Sequence, residues 1–383
     1  MGQEREEAVM SDQIKPIVMP KWGLAMQEGM VAKWLVEQGA EVNSGDEILD
    51  IETSKIANVF ESPVAGPLRR VVVGEGETVP VGALLGVVAD SSVSDADLDA
   101  FIARFQEEFA AHAVEAEAAP EPETIDAGGR RIRYLALGEG DGVPIAFIHG
   151  FGGDLNNWQF NQEALAAGRP TYALDLPGHG GSTKDLGAGP VDAKALADAV
   201  LDFMEAKGMA KAHLVGHSLG GAIALHLALD RGDRVGSVTA ICSAGLGPEI
   251  NMAYIDGFMA AKRRKQLQPV LEMLVADPEM VSREMIEDVL KFKRLDGVET
   301  ALNRIVEGTF ADGRQAVQLT GRLGELGVPV QVIWGGQDRI IPVRHSEGLP
   351  NTVRVHVFDG AGHMVHMEKA AEVNDLIQAF IGS

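Results

Sequence analysis

The sequence predicts a multi-domain chain: a small all-β domain, then a doubly wound, mostly parallel α/β sheet with a helical cap. Three observations carry this. Short Val- and Gly-rich stretches in residues 15–90 repeat at a fixed offset. Residues 125–383 alternate apolar β-branched runs with helical ones, the pattern of a parallel sheet. Within them, residues 245–327 are helical throughout and Met-rich, as expected of a cap over a pocket.

In the first segment, Gly39-x-x-Val42-x-x-Gly45 recurs 37 residues later as Gly76-x-x-Val79-x-x-Gly82. The apolar positions that follow also match, Ile48 with Leu85 and Ile51 with Val88. Two similar halves folding against each other in a barrel or sandwich are expected. Between them, Asp50 to Val59 suggests strand, tight turn and strand, with Lys55 at the tip of an exposed hairpin.

Residues 91–124 change character. Leu98, Phe101, Ile102, Phe105 and Phe109 form one apolar helical stripe, with Ser94 as N-cap and Asp95 and Asp97 in the first turn. Such a short amphipathic helix docks either on a neighbouring domain or on a partner. From Ala113 to Glu123, Ala, Glu and Pro dominate, and this composition predicts an extended, self-repelling acidic linker.

Beyond it, apolar runs at 144–148, 171–174, 213–215, 235–242, 328–334 and 353–358 are the expected strands. Gly216-His217-Ser218-Leu219-Gly220 follows one of them and opens a small-residue helix. A nucleophile on a tight strand-to-helix turn needs neighbours without side chains, and the helix N-terminus favours developing negative charge. His149-Gly150-Phe151-Gly152-Gly153 follows an earlier strand, where the Phe151 N–H would complete an oxyanion hole with that of Leu219. Asp338 follows a later strand, and His363 stands in Gly360-Ala361-Gly362-His363 after the last. The order Ser218, Asp338, His363 suits a serine nucleophile, an orienting acid and a base. His366 competes for the role of base, and a helix cap is the competing reading of Asp338. His179 and His217 are expected to be structural.

These motifs, with Asp175-Leu176-Pro177-Gly178-His179-Gly180, resemble the α/β-hydrolase superfamily over nearly the whole of residues 125–383. Glu52-Thr53-Ser54-Lys55-Ile56, with Met19-Pro20 upstream and Ser62-Pro63-Val64-Ala65-Gly66 downstream, resembles a lipoyl (barrel-sandwich) domain; a biotinyl domain shares that architecture. The pairing of the two resembles the E2 components of acetoin dehydrogenase complexes. That resemblance implies acetyltransferase activity, lipoate held covalently on Lys55, and coenzyme A as co-substrate. It also implies a thiamine-diphosphate E1 and a flavin-dependent E3 as partners, in a homo-oligomer. The chain departs from ordinary E2 sequences in lacking a C-terminal His-x-x-x-Asp-Gly motif and a recognisable subunit-binding module. A serine ester or thioester hydrolase tethered by its lipoyl domain is the alternative, and a non-catalytic carrier a third.

Composition narrows the partners. With 33 Lys and Arg against 56 Asp and Glu, the net charge is −23, which argues against nucleic acid or an anionic membrane surface. Cys242 is the one cysteine, so no intrachain disulfide and no Cys-based zinc site forms, as fits a cytoplasmic protein. No apolar run reaches membrane-spanning length, the acidic opening residues predict no signal peptide, and no metal site is expected.

Overall fold

In the computed structural model, residues 14–20, 28–52, 57–117 and 120–382 are described. The chain divides into two compact units, Met1–Ala119 and Pro120–Ser383.

The first unit contains β1 (Ile14–Val18), β2 (Glu28–Trp34), β3 (Glu41–Val42), β4 (Glu47–Glu52), β5 (Ala57–Glu61), β6 (Gly66–Val71), β7 (Thr78–Pro80) and β8 (Leu84–Ala89). They form two four-stranded sheets, ordered β1-β8-β6-β3 and β5-β4-β2-β7. The repeat is visible in the backbone, because β2–β3–β4 corresponds to β6–β7–β8. Gly39 and Gly76 have φ of 96° and 83°, and Gly45 and Gly82 have 94° and 85°. Both pairs hold left-handed turns that a side chain would strain, which is why the glycines recur. Each half lends its short strand to the other: β3 pairs with β6, and β7 with β2. Ile48 and Ile51 of one sheet meet their repeat mates Leu85 and Val88 of the other in a common core.

All six residues of β8 are buried. One face lies in that core, and the other is covered by α1 (Asp95–Glu117). Leu98 packs there with Leu84 and Val87, and Phe101, Ile102 and Phe105 lie alongside. The predicted stripe therefore docks on its own unit. The helix also continues to Glu117 through residues where composition predicted an extended linker. Ala and Glu are strong helix formers, and a helix already nucleated by packing propagates through them. Strand pairing runs out to Glu52 opposite Ala57, and Lys55 lies outside the described residues.

The second unit has one eight-stranded sheet, ordered β16-β15-β14-β13-β11-β12-β10-β9. Its strands are β9 (Glu123–Ala127), β10 (Arg130–Leu137), β11 (Ile145–Ile148), β12 (Thr171–Leu174), β13 (Ala212–His217), β14 (Val235–Ile241), β15 (Val330–Gly335) and β16 (Val353–Phe358). β11 to β16 are parallel and coincide with the six apolar runs. β9 and β10 add an antiparallel edge, where Arg131 and Arg133 alternate with Ile132 and Tyr134. The helices α2 (Ala193–Ala206), α3 (Leu219–Asp230) and α8 (Ala370–Ile381) flank the sheet. Between β14 and β15 stand the cap helices α4 (Met252–Ala260), α5 (Arg264–Leu271), α6 (Arg283–Lys293) and α7 (Val298–Thr309). Strand order reverses at β11 and β13, so the crevice beyond their carboxyl ends is where a ligand site is expected. Among the described residues, no helix is long and apolar enough to cross a membrane.

Candidate active site

Ser218 occupies the turn between β13 and α3 with φ 54° and ψ −116°, a strained left-handed conformation for a residue with a side chain. The glycines around it are sterically required. A Cβ on Gly216 would lie 2.2 Å from the Gly220 carbonyl oxygen, and one on Gly220 would lie 2.0 Å from that of Ile148. The turn is pinned on both sides, since Ser218 N–H donates to the Ile241 carbonyl at 2.9 Å and Ala244 N–H donates to the Ser218 carbonyl at 2.9 Å. Leu219 is the first residue of α3, so its N–H has no intrahelical acceptor. The loop bearing Phe151 passes close by: a Cβ on Gly150 would sit 3.0 Å from the Ser218 Cβ.

The other two predicted residues meet. His363 Nδ1 lies 2.8 Å from Asp338 Oδ2, with both side chains buried. The Asp338 carboxylate is fully engaged. Oδ2 also accepts from Trp334 Nε1 at 3.1 Å, and Oδ1 accepts from the backbone N–H of Ile340 and Ile341 at 2.8 and 3.0 Å. Asp338 thus caps a turn with one oxygen while its other oxygen holds the imidazole, so the two readings of this residue are compatible. Cys242 packs behind the pair, its Sγ within 4.8 Å of the ligand atoms of Asp338 and His363. Burial pushes its thiol well above the usual range, so it stays protonated and fills space.

Ser218 and His363 line one cavity of about 350 Å³, with Phe151 at the wall. Cap residues Tyr254, Phe258, Met285, Val289 and Phe310 supply an apolar lining. Met280 and Phe160, 39% and 52% exposed, also line it and mark its mouth. Of the cap methionines, Met280 and Met285 line this space, and Met252, Met259, Met273 and Met285 pack, partly buried, against the core.

Several further residues support this arrangement. His217 Nε2 donates to the His363 carbonyl at 2.9 Å, tying the serine turn to the histidine loop. Glu368 accepts from Gly362 N–H at 2.9 Å and from Ala276 N–H at 2.8 Å, joining that loop to the cap; burial raises its carboxyl above the ordinary value. His366 is buried against Trp158 and His217 at ring separations of 4.7 and 4.6 Å, and desolvation lowers its pKa to about 3. The Asp338 carboxylate pairs with His363 instead. Two further histidines lock the Phe151 loop. His179 Nε2 accepts from Gly152 N–H at 3.1 Å, and His149 Nε2 accepts from Leu176 N–H at 3.0 Å. Burial keeps both neutral, as those acceptor roles demand.

In the first unit, Glu52 and Ala57 are the last paired residues of β4 and β5, so Lys55 belongs to the four-residue connection between two strand ends. A primary amine at that position fits covalent attachment of an acyl cofactor.

Two family matches follow the division of the chain: one described as the alpha/beta hydrolase fold over residues 143–370, the other as biotin-requiring enzyme over residues 15–88. A Pseudomonas putida protein, the dihydrolipoyllysine-residue acetyltransferase component of its acetoin cleaving system, is 48% identical over 96% of this chain and 99% of its own length. The component of the same name from Cupriavidus necator is 48% identical over 97% of this chain and 99% of its own. Among solved structures, the 2-hydroxy-6-oxo-6-phenylhexa-2,4-dienoate hydrolase of a Rhodococcus strain superposes with a TM-score of 0.63 at 22% identity, covering 69% of this chain and 99% of that one. That likeness concerns the fold of the second unit. On its lipoyl-type first unit, its α/β-hydrolase second unit and its full-length relatives, the chain belongs to the family of dihydrolipoyllysine-residue acetyltransferase components of acetoin cleaving systems.

Proposed function

We propose that this chain carries an acetyl group on lipoyl-Lys55 and passes it to coenzyme A through a Ser218–His363–Asp338 site. Lipoate bound to Lys55 supplies the dithiol on which an acyl group travels. It would be loaded by a thiamine-diphosphate E1 and reoxidised by a flavin-dependent E3, within a homo-oligomeric cytoplasmic assembly. The steps at the second unit follow from its own residues.

His363 takes the Ser218 hydroxyl proton at Nε2 while Oγ attacks the carbonyl carbon of an acetyl thioester. The developing oxyanion accepts from the N–H groups of Leu219 and Phe151. As the carbon–sulfur bond breaks, His363 returns the proton to the departing thiolate, leaving acetyl-Ser218. The thiol of coenzyme A then gives its proton to His363, attacks the acetyl carbonyl and displaces Ser218, which takes the proton back. Asp338 holds the imidazole with Nδ1–H toward itself, so that Nε2 is the basic nitrogen. One thioester replaces another, and no redox partner is needed at this step. The apolar lining of the cavity supports a thiol over water as acceptor, since it offers few groups to hold a water in line.

The observation that carries the proposal is the 2.8 Å His363–Asp338 contact on a cavity shared with the strained Ser218. Its test is acetyl transfer from acetyl-dihydrolipoamide to coenzyme A by Ser218→Ala, expected to fall by roughly four orders of magnitude. Undiminished transfer would sink the serine mechanism. Acetate as sole product, with or without coenzyme A, would favour the hydrolase. Intact mass after expression in a lipoylating host tests Lys55, which is expected to carry one lipoyl increment.

A further inference from the structure

A chain of net charge −23 places four cations in a row, Lys262-Arg263-Arg264-Lys265, at the start of cap helix α5. That is the least favourable place for them, because the helix N-terminus is itself the positive end of the dipole. No acid in the first turn compensates, and the N-cap residue, Arg263, makes no side-chain cap. Next to this end lies a separate concavity of about 370 Å³, walled by Arg263, Arg264, Arg283, Lys291 and Arg294 with Glu287 as its acid. Arg283 is paired with Glu287 at 2.8 Å and Lys291 with Asp288 at 3.5 Å. Among the described residues, no carboxylate is paired with Arg263, Arg264 or Arg294. Lys293, one residue from Arg294, is otherwise occupied, donating to the Ala261 carbonyl at 2.7 Å and to that of Phe258. Three guanidinium groups without a carboxylate partner, those of Arg263, Arg264 and Arg294, thus line one pocket.

The pocket adjoins the catalytic cavity through a shared wall. Met285 and Val289 on one face of α6 line the cavity, while Arg283 and Glu287 on the other face, with Arg294 just past its end, line the basic pocket. Ser282 faces the cavity and its neighbour Arg283 the pocket, three residues from Met280 at the cavity mouth. The two spaces are separated by about one helix diameter, roughly 10 Å.

We propose that this pocket holds the phosphate groups of the acyl acceptor, the nucleotide 3′-phosphate and diphosphate of coenzyme A, while its pantetheine arm passes the end of α6 at Met280 and Ser282 to bring the thiol to Ser218. The inference rests on the acetyl-transfer reading above and gives it an acceptor determinant. Guanidinium groups suit phosphate because they donate in pairs to its oxygens. The polyanion also supplies the negative charge that the α5 N-terminus lacks.

The test uses the full-length lipoylated protein, with acetyl-dihydrolipoamide as donor and coenzyme A or pantetheine as acceptor. The wild type is expected to show a KM for coenzyme A at least tenfold below that for pantetheine. In Arg264→Gln/Arg294→Gln the KM for coenzyme A rises by roughly tenfold for each lost charge-assisted contact, and pantetheine kinetics do not change. Arg294→Glu alone moves it in the same direction. In calorimetry, adenosine 3′,5′-bisphosphate binds the wild type in competition with coenzyme A, loses affinity in the variants, and binds more tightly than inorganic phosphate. Equal KM values for the two acceptors in the wild type, or unchanged coenzyme A kinetics in the variants, would overturn the proposal. So would a defect that appears only when acetyl is delivered on the acidic carrier unit, which would assign the pocket to that unit. Transfer to neither thiol by the wild type would instead overturn the acetyl-transfer reading, and the bisphosphate titration would then decide the site alone.

Discussion

Asp338→Asn separates geometry from electrostatics at the proposed site. Four hydrogen bonds end on this buried carboxylate, two on each oxygen. An amide has one oxygen, and the two backbone donors, Ile340 and Ile341 N–H at 2.8 and 3.0 Å, hold it in place. The NH2 group then faces His363 Nδ1 and Trp334 Nε1. Trp334 keeps a partner, since its Nε1 also donates to the Ile341 carbonyl at 3.1 Å. His363 has to accept at Nδ1 and carry its proton on Nε2, the nitrogen required as base. The loss is therefore in the chemical step, with kcat expected to fall about 10⁴-fold, or about 5.5 kcal/mol in the barrier. Stability should fall by only about 1–3 kcal/mol, the scale of one lost charge-assisted hydrogen bond. Stopped-flow acetyl transfer paired with thermal denaturation measures both. A folded variant within tenfold of wild-type kcat would refute the assignment of Asp338 as the residue that orients the base.

Glu368→Gln leaves one acceptor for the two amide donors of Gly362 and Ala276, so we expect a destabilisation of about 1–3 kcal/mol and a slower reaction with small esters, read by denaturant titration and steady-state rates. Unaltered kinetics would remove Glu368 from the support of the histidine loop. Gly220→Ala should yield no folded protein, because its Cβ would meet the Ile148 carbonyl at 2.0 Å; Gly232→Ala, with nothing within 4 Å, is the control and should express normally. Burial holds His149, His179, His217 and His366 below the ordinary imidazole value of 6.5, His366 at about 3. In the unfolded chain they protonate near 6.5 and in the folded one they do not. The stability they confer is therefore complete above pH 6.5 and is lost as pH falls below it, for His366 down to about 3, at up to about 1.4 kcal/mol per pH unit for each histidine. Melting temperatures from pH 7 to pH 5 should fall, and a flat profile would contradict the buried neutral state.

Features imposed by local backbone geometry were legible in the sequence. Gly216 and Gly220 around Ser218, and the recurring glycines of the repeat, stand where a side chain would clash or strain, so spacing alone reveals them. The six parallel strands were legible because burial on both faces demands unbroken apolar runs. β9 and β10 were not, since these antiparallel strands at the margin of the sheet alternate charged with apolar residues and read as loop. Glu368 left no mark either: its partners are a backbone amide six residues away and another 92 residues away, and any carboxylate would look the same in the sequence. Helix α1 was legible as far as its stripe. Its continuation to Glu117 depends on propagation from a docked end, which composition does not separate from an extended acidic tail.

The exchange of β3 and β7 between the repeated halves makes the first unit, in effect, a domain-swapped dimer written into a single chain. Neither half possesses a complete sheet, because each of the two sheets ends in a strand contributed by the other half. A fragment stopping after β5 would expose an unpaired edge and half a core, and could satisfy both only by pairing with a second copy of itself. The carrier should accordingly melt in one step, and a single half should be found only as a dimer or as an aggregate.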